Sequence, residues 1–222
     1  MTEHETPSLD GLVIAILGGT GEQGRGLARR FALAGHPVII GSRSTERAHA
    51  AAQQTGHGVR GLANADAARE AALVIAAVPW EGHGELLSGL ADELAGKIVV
   101  DCVNPLGFDQ RGAYALPVSE GSAAEQAAAL LPGSRVVAAF HHVSAVLLLD
   151  PEVDAMDLDV LVLGDDREAT DLVQALAARI PGIRGIYAGR LRNCGQIEAL
   201  TANLVSINRR YKAHAGLRIT DI

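Results

Sequence analysis

Two cysteines, Cys102 and Cys194, are all that 222 residues carry. That excludes a disulfide framework and leaves no CxxC pair for a metal or redox site; both read as buried small residues. No apolar run approaches the roughly 18 residues a membrane-spanning helix needs. Positive charge is scarce, with 19 Lys and Arg against 26 Asp and Glu, a net charge of −7 and a pI near 5.6. Neither nucleic acid nor an anionic membrane surface is therefore an expected partner, and any anionic ligand must be held by a local basic cluster. The opening MTEHETPSLDG is polar and acidic, unlike a signal peptide. Residues 1–11 are expected to be a disordered lead, and the protein to be cytoplasmic.

Several catalytic signatures are missing as well. None of Tyr114, Tyr187 and Tyr211 is followed four residues on by Lys, so there is no short-chain-dehydrogenase dyad. There is no HExxH, and Ser, His and Asp occur as scattered singles. His141 and His142 are adjacent, and in an extended segment adjacent side chains point to opposite faces, so no metal site is expected there. Each of these histidines reads either as a satisfied buried residue or as a contact to a cofactor. With no acid–base pair, hydride exchange between two bound cofactors becomes attractive, because the cofactors then supply the reactivity.

What is present begins at residues 12–24, LVIAILGGTGEQG. An apolar run ends in glycines, and a helical segment opens at Glu22. Gly19-x-Gly21-x-x-Gly24 fits the dinucleotide fingerprint. The spacing assigns Gly19 to the tight turn, Gly21 to close approach of a pyrophosphate and Gly24 to helix packing against the strand. Helix-start amides of Glu22 and Gln23 then face the phosphates. Hydrophobic content of 48% with 20% charge supports a substantial core.

The rest alternates strand and helix. Strands are predicted at 13–17, 38–41, 59–62, 73–78, 98–103, 136–140, 160–164 and 185–187, and helices at 22–34, 45–54 (capped by Thr45), 66–71, 85–94, 122–131 (a capping box of Ser122 and Glu125), 168–179 and 192–211. This rhythm predicts an α/β fold, a Rossmann-type doubly wound parallel sheet at 12–140 with a small C-terminal extension at 141–222. No repeat, low-complexity tract or long linker divides the chain.

The end of the second strand selects the dinucleotide. NAD sites place an acid there to hold the ribose 2′-hydroxyl, whereas this chain reads Gly41-Ser42-Arg43-Ser44-Thr45-Glu46-Arg47. Guanidinium groups and hydroxyls suit a 2′-phosphate, so NADP(H) is expected. The fourth strand ends Val78-Pro79-Trp80, where the only tryptophan reads as a wall for a nicotinamide ring or as an ordinary aromatic plug. Along the last helix Cys194, Ile197, Leu200, Leu204, Ile207 and Tyr211 form an apolar stripe suited to core packing or a subunit contact.

The set GGTGEQG, GSRSTER, VPW and FHHVSA, with GDDRE at 164–168, resembles the F420-dependent NADP reductases over most of the chain. The resemblance implies NADP(H) and coenzyme F420, an 8-hydroxy-5-deazaflavin, as cofactors. It places Thr20 and the loop amides of Gly19 to Gly24 at the pyrophosphate, and Ser42, Arg43 and Arg47 at the 2′-phosphate. Val78, Pro79 and Trp80 fall near the nicotinamide, and His141, Val143, Ser144 and Ala145 in the deazaflavin pocket. In the family Pro can stand at Ser144 and Lys at Arg47. It further implies a deazaflavin-binding and dimerising C-terminal region, a homodimer, and direct hydride passage between rings stacked roughly 3–3.5 Å apart, with no obligatory side-chain acid. Rival readings are an imine, pyrroline or β-hydroxyacid reductase with the same N-terminal domain, an NADP-sensing protein without turnover, and a reductase of ordinary flavins.

Overall fold

Short apolar runs bounded by glycine become strands because they are too short to bury a helical face. The computed structural model describes residues 7–222. In chain order it contains β1 (Ile14–Leu17), α1 (Glu22–Leu33), β2 (Val38–Ser42), α2 (Thr45–Thr55), β3 (Arg60–Ala63), α3 (Asn64–Glu70) and β4 (Leu73–Ala76). Then follow α4 (His83–Ser88), α5 (Ala91–Leu94), β5 (Ile98–Asp101), a hairpin of β6 (Leu106–Asp109) and β7 (Gly112–Ala115), α6 (Ala123–Leu130) and β8 (Arg135–Ala138). The last elements are α7 (Ala145–Leu149), β9 (Leu158–Gly164), α8 (Arg167–Ala177), β10 (Ile183–Gly189) and α9 (Cys194–Tyr211).

Eight strands form one sheet in the order β10-β9-β8-β5-β4-β1-β2-β3. Alternate residues feed cores on its two faces: Ile14 and Ile16 pack with Leu27 and Phe31 of α1, while Ala15 and Leu17 pack with Ala67 and Ala68 of α3. The sheet is Rossmann-like and parallel from β3 through β8, but β9 meets β8 antiparallel and β10 then follows β9 in parallel. A parallel crossover needs an element that carries the chain back along the sheet. Only five-residue α7 lies between β8 and β9, about 7.5 Å of helix, so the chain turns back instead. Just two residue pairs join these strands, Val137 with Gly164 and Ala138 with Leu163. The rest of β9 projects past the carboxyl end of β8.

Other differences are local. Ser44, not Thr45, caps α2, its Oγ accepting the Arg47 amide at 3.2 Å. The helix expected over 85–94 is broken at Gly89 into α4 and α5, and a 3₁₀ turn at Trp80–Gly82 precedes it. The strand expected to reach Val78 stops at Ala76. Hairpin β6–β7 and helix α7 were not expected at all. The α6 cap forms as read, Ser122 Oγ accepting the Glu125 amide at 3.0 Å. Of the expected disordered lead, residues 1–6 lie outside the described residues, while Leu9 is buried in the core. Both cysteines are buried and unpaired, and burial pushes both thiols up in pKa. No helix among the described residues is long and apolar enough to cross a membrane.

Candidate functional site

Six strands run in parallel, so their carboxyl ends share one edge of the sheet. From β2 through β1, β4 and β5 to β8, that edge carries residues 42–47, 18–24, 77–80, 102–104 and 140–145 in spatial order. Four inter-strand steps span roughly 19 Å, and the crevice outside this edge is where open α/β sheets take ligands.

The glycine turn at the end of β1 works somewhat differently from its spacing. The left-handed residue is Gly18, with φ +69°, and a Cβ there would overlap Val78 Cγ1. Gly19 is needed for a different reason, since its Cβ would stand 2.6 Å from the Ile16 carbonyl oxygen. A Cβ on Gly24 would come within 2.6 Å of Gly19 Cα, so α1 packs its first turn on the loop itself and not on the strand. Gly21 stands apart: the nearest atom to its Cβ would be Gly18 O at 3.8 Å. Among the described residues nothing crowds a side chain there, and the open space would admit a phosphate drawn up to the backbone. Glu22 and Gln23 start α1, and their N–H groups lack a carbonyl four residues back within the helix.

A cleft of about 860 Å³ runs from this turn. It is lined by Thr20, Gly21, Ser42, Arg43, Arg47, Asn64, Val78 and Pro79, and closed by Glu85, Leu86 and Leu90 of the α4–α5 region. Arg43 and Arg47 are exposed, and among the described residues neither has an acidic partner. The acid between them, Glu46, instead accepts a 2.7 Å bond from the Ser44 hydroxyl, which holds its carboxyl below the usual range. Two unneutralised guanidiniums beside buried Ser42 fit a dianionic group. Trp80 does not line this cleft; its indole lies on the ring of His83, 5.5 Å between centroids.

At the β8 end, Phe140 takes a left-handed backbone (φ +65°), an outlier for a bulky residue. It is pinned by an edge-to-face contact with Phe31 at 5.8 Å and by Gln23 Nε2 donating to its carbonyl at 3.3 Å. The bend turns the chain into His141, which is 6% exposed and whose ring nitrogens have no hydrogen-bond partner among the described residues. Burial depresses its pKa to about 4, so it is neutral at pH 7. His142 Nε2 donates to Ile197 O at 2.7 Å, which fixes its tautomer, and burial lowers its pKa as well. Val143 is buried, and Ser144 Oγ lies 3.4 Å from His214 Nδ1 on the C-terminal tail. His141 to Ala145 thus lie apart from the arginine-lined cleft, against the overhang of β9: Phe140 to Val143 share a water-sized cavity of about 10 Å³ with Asp159, Val160, Leu161 and Ile197.

Two features escaped the sequence. Asn104 donates through Nδ2 to His141 O at 3.1 Å and accepts from the Thr201 hydroxyl at 3.1 Å, joining the loop after β5 to α9. His83 and Asp101 form a fully buried pair at 2.6 Å. An Asn-Pro directly after a strand was the only available hint of the first; nothing local announces the second. No cluster of three or more metal-ligating side chains occurs among the described residues.

The family model described as NADP oxidoreductase, coenzyme F420-dependent, matches residues 13–105. The F420-dependent NADP reductase of Methanothermobacter marburgensis is 41% identical over 221 residues, covering 94% of this chain and 98% of that protein. A crystal structure of a candidate F420-dependent NADP reductase from Arthrobacter sp. FB24 superposes with a TM-score of 0.82 at 30% identity, covering 95% of this chain and 100% of that one. An imine reductase from Bacillus cereus shares the fold alone, with a TM-score of 0.65 at 16% identity and 62% of its own chain covered.

Proposed function

This chain belongs to the family of F420-dependent NADP reductases, and on that premise we propose that it is the oxidoreductase that passes a hydride reversibly between coenzyme F420 and NADP. The observation that carries the reading is the row of cofactor-suited groups along one sheet edge, ending in two unpaired arginines where an NAD enzyme would keep an acid. The bound cofactors supply all the redox chemistry, the reduced deazaflavin at its C5 and the nicotinamide at its C4.

The chain's own groups bind, orient and exclude water. Gly21 leaves room for the pyrophosphate, and the Thr20, Glu22 and Gln23 amides donate to it at the positive end of α1. Ser42, Arg43 and Arg47 hold the 2′-phosphate. Val78 and Pro79 meet the nicotinamide end, with Trp80 behind them. His141, Val143, Ser144 and Ala145 shape the deazaflavin side, where His141 offers a neutral ring with unused nitrogens. No side chain needs to act as an acid.

Residues 12–140 then form the NADP-binding part, and 141–222 the deazaflavin-binding and dimerising part. Support for a homodimer comes from Phe108 and Tyr114 of the hairpin and Ile207 and Tyr211 of α9, all large and exposed on two elements that pack together. A cytoplasmic enzyme acting on diffusible cofactors fits the acidic surface. The relatives favour this reading over the imine-reductase and sensor alternatives. The test is isotopic: NADPH deuterated at the transferred C4 position should yield F420 deuterated at C5 in ordinary water. Label washed out into solvent would refute direct transfer, and failure to reduce F420 with NADPH bound would refute the activity.

A further inference from the structure

The sole tryptophan, Trp80, follows β4 at the nicotinamide end of the cleft. Its indole lies over the imidazole of His83, the planes 30° apart. His83 opens α4, is completely buried, and turns both ring nitrogens toward acceptors. Nδ1 is 2.9 Å from Gln126 Oε1, while the amide nitrogen of Gln126 faces Glu120 Oε1 at 3.4 Å, so the oxygen is the end that meets His83. Nε2 is 2.6 Å from Asp101 Oδ2, and Asp101 Oδ1 accepts the Val103 amide at 2.9 Å. An amide oxygen and a carboxylate oxygen each require a proton from the ring. Only the imidazolium satisfies both.

Burial opposes that charge, but the bonds to Asp101 and Gln126 outweigh it and raise the His83 pKa above its ordinary value. The other charged groups that face it are acidic, Glu198 from α9 and Glu120 from the loop before α6. His141, beyond Asp101, is neutral. A buried cation tied to β5 and α6 thus lies against the Trp80 indole, outside the cleft lining.

We infer that His83 is a positioning residue for hydride transfer: held by Asp101 of β5 and Gln126 of α6, its imidazolium fixes the Trp80 indole by a cation–π contact and so sets the turn whose Pro79 and Glu81, on either side of Trp80, line the cleft. The catalytic part rests on the function proposed above; the contact rests on geometry alone.

Because Trp80 is the sole tryptophan, intrinsic emission reports this contact directly, and a neighbouring imidazolium quenches it. Wild-type emission should be low at about pH 6 and brighten only above the ordinary imidazole range, because the His83 pKa is raised from 6.5. His83→Gln should brighten it. Asp101→Asn leaves the ring in place without its anion, so burial deprotonates it; emission should brighten at neutral pH and fall again on acidification. In both variants and in Trp80→Phe, kcat should fall on the order of ten- to a hundredfold, while the Kd for NADPH, set at Gly21 and Arg43, stays within about twofold of wild type. The Trp80→Phe/His83→Gln double variant should be no worse than the poorer single one. Unchanged emission in both ring-charge variants, or losses that multiply in the double variant, would overturn the inference. Should His83→Gln fail to fold, Asp101→Asn carries the emission test and, with Trp80→Phe, the kinetic one. A wild-type protein inert toward F420 would overturn the function itself, and the emission arm would still uphold or overturn the contact.

Discussion

Gly21 and Gly24 sit three residues apart in one motif, and the structure separates their roles so cleanly that alanine at each should fail in opposite ways. Gly21 has φ −74° and ψ 168°, extended backbone that alanine adopts without strain, and its Cβ would meet nothing closer than 3.8 Å. The entropy lost by the unfolded chain stabilises Gly21→Ala by about 0.4–1 kcal/mol, and the poorer N-cap offsets this by a similar amount. Its melting temperature should therefore stay within about 2 °C of wild type. A methyl group at that point, however, holds a phosphate away from the amides. Losing one charge-assisted bond costs about 1.5–3 kcal/mol, roughly ten- to 150-fold in Kd, and NADPH and NADH should suffer alike because both carry the pyrophosphate. Gly24→Ala puts its Cβ 2.6 Å from Gly19 Cα, backbone against backbone, where neither side can rotate away. Overpacking of that kind costs about 1–3 kcal/mol, a fall of roughly 2–12 °C in Tm. Thermal melts of the ligand-free proteins and calorimetric NADPH titrations decide the matter. Wild-type affinity in Gly21→Ala, or a destabilisation equal to that of Gly24→Ala, would refute the assignment.

Arg43→Ala should weaken NADPH by about tenfold, near the lower end of a charged hydrogen bond because the side chain is exposed, and leave NADH unchanged in kcat/KM; equal losses for both nucleotides would dismiss the 2′-phosphate role. Arg30 is buried and donates to the carbonyls of Leu147, Leu148, Asp150 and Val153 at 2.7–3.2 Å, clamping α7 to α1. Arg30→Met should cost roughly 3 kcal/mol and lower Tm by about 6–12 °C, and an unchanged melt would show that α7 holds without it. Asp159 binds Arg184 and the Ile219 amide, which holds its carboxyl down at about 2. A depressed pKa stabilises above the unfolded value near 4 and is lost as pH falls toward 2. The protection of the Ile219 amide against hydrogen exchange, relative to an unstructured peptide at the same pH, should fall across that window, and at neutral pH in Asp159→Asn.

How much of this was legible in the sequence depended on range. The glycine spacing and the arginines at 43 and 47 are local patterns, and the cleft lined by Thr20, Gly21, Ser42, Arg43 and Arg47 brings them together. The fingerprint specifies spacing but not dihedral angles, so it assigns the tight turn to Gly19 without showing that the left-handed residue is its neighbour Gly18. Periodicity carries no direction, and β9 read as a strand without any sign that it runs backward. The α4–α5 break fell inside a helical pattern because a lone glycine is tolerated in most helices. Pairings across the fold were invisible: His83 meets Asp101 18 residues away, and Asn104 meets Thr201 97 away. Such contacts arise from strand order, which no single segment encodes.

That strand order has a consequence for how the molecule is made. Reading outward from β1, the chain lays β2 and β3 to one side, then β4, β5, β8, β9 and β10 to the other, in order of synthesis. No strand is ever inserted between two that are already joined. As the polypeptide leaves the ribosome, each new strand finds an edge waiting for it, and the six parallel strands that carry the glycine turn and Arg43 can be joined before β9 emerges. The last act is then the tail closing over Asp159, and a nascent chain stalled just short of that point should already hold NADPH.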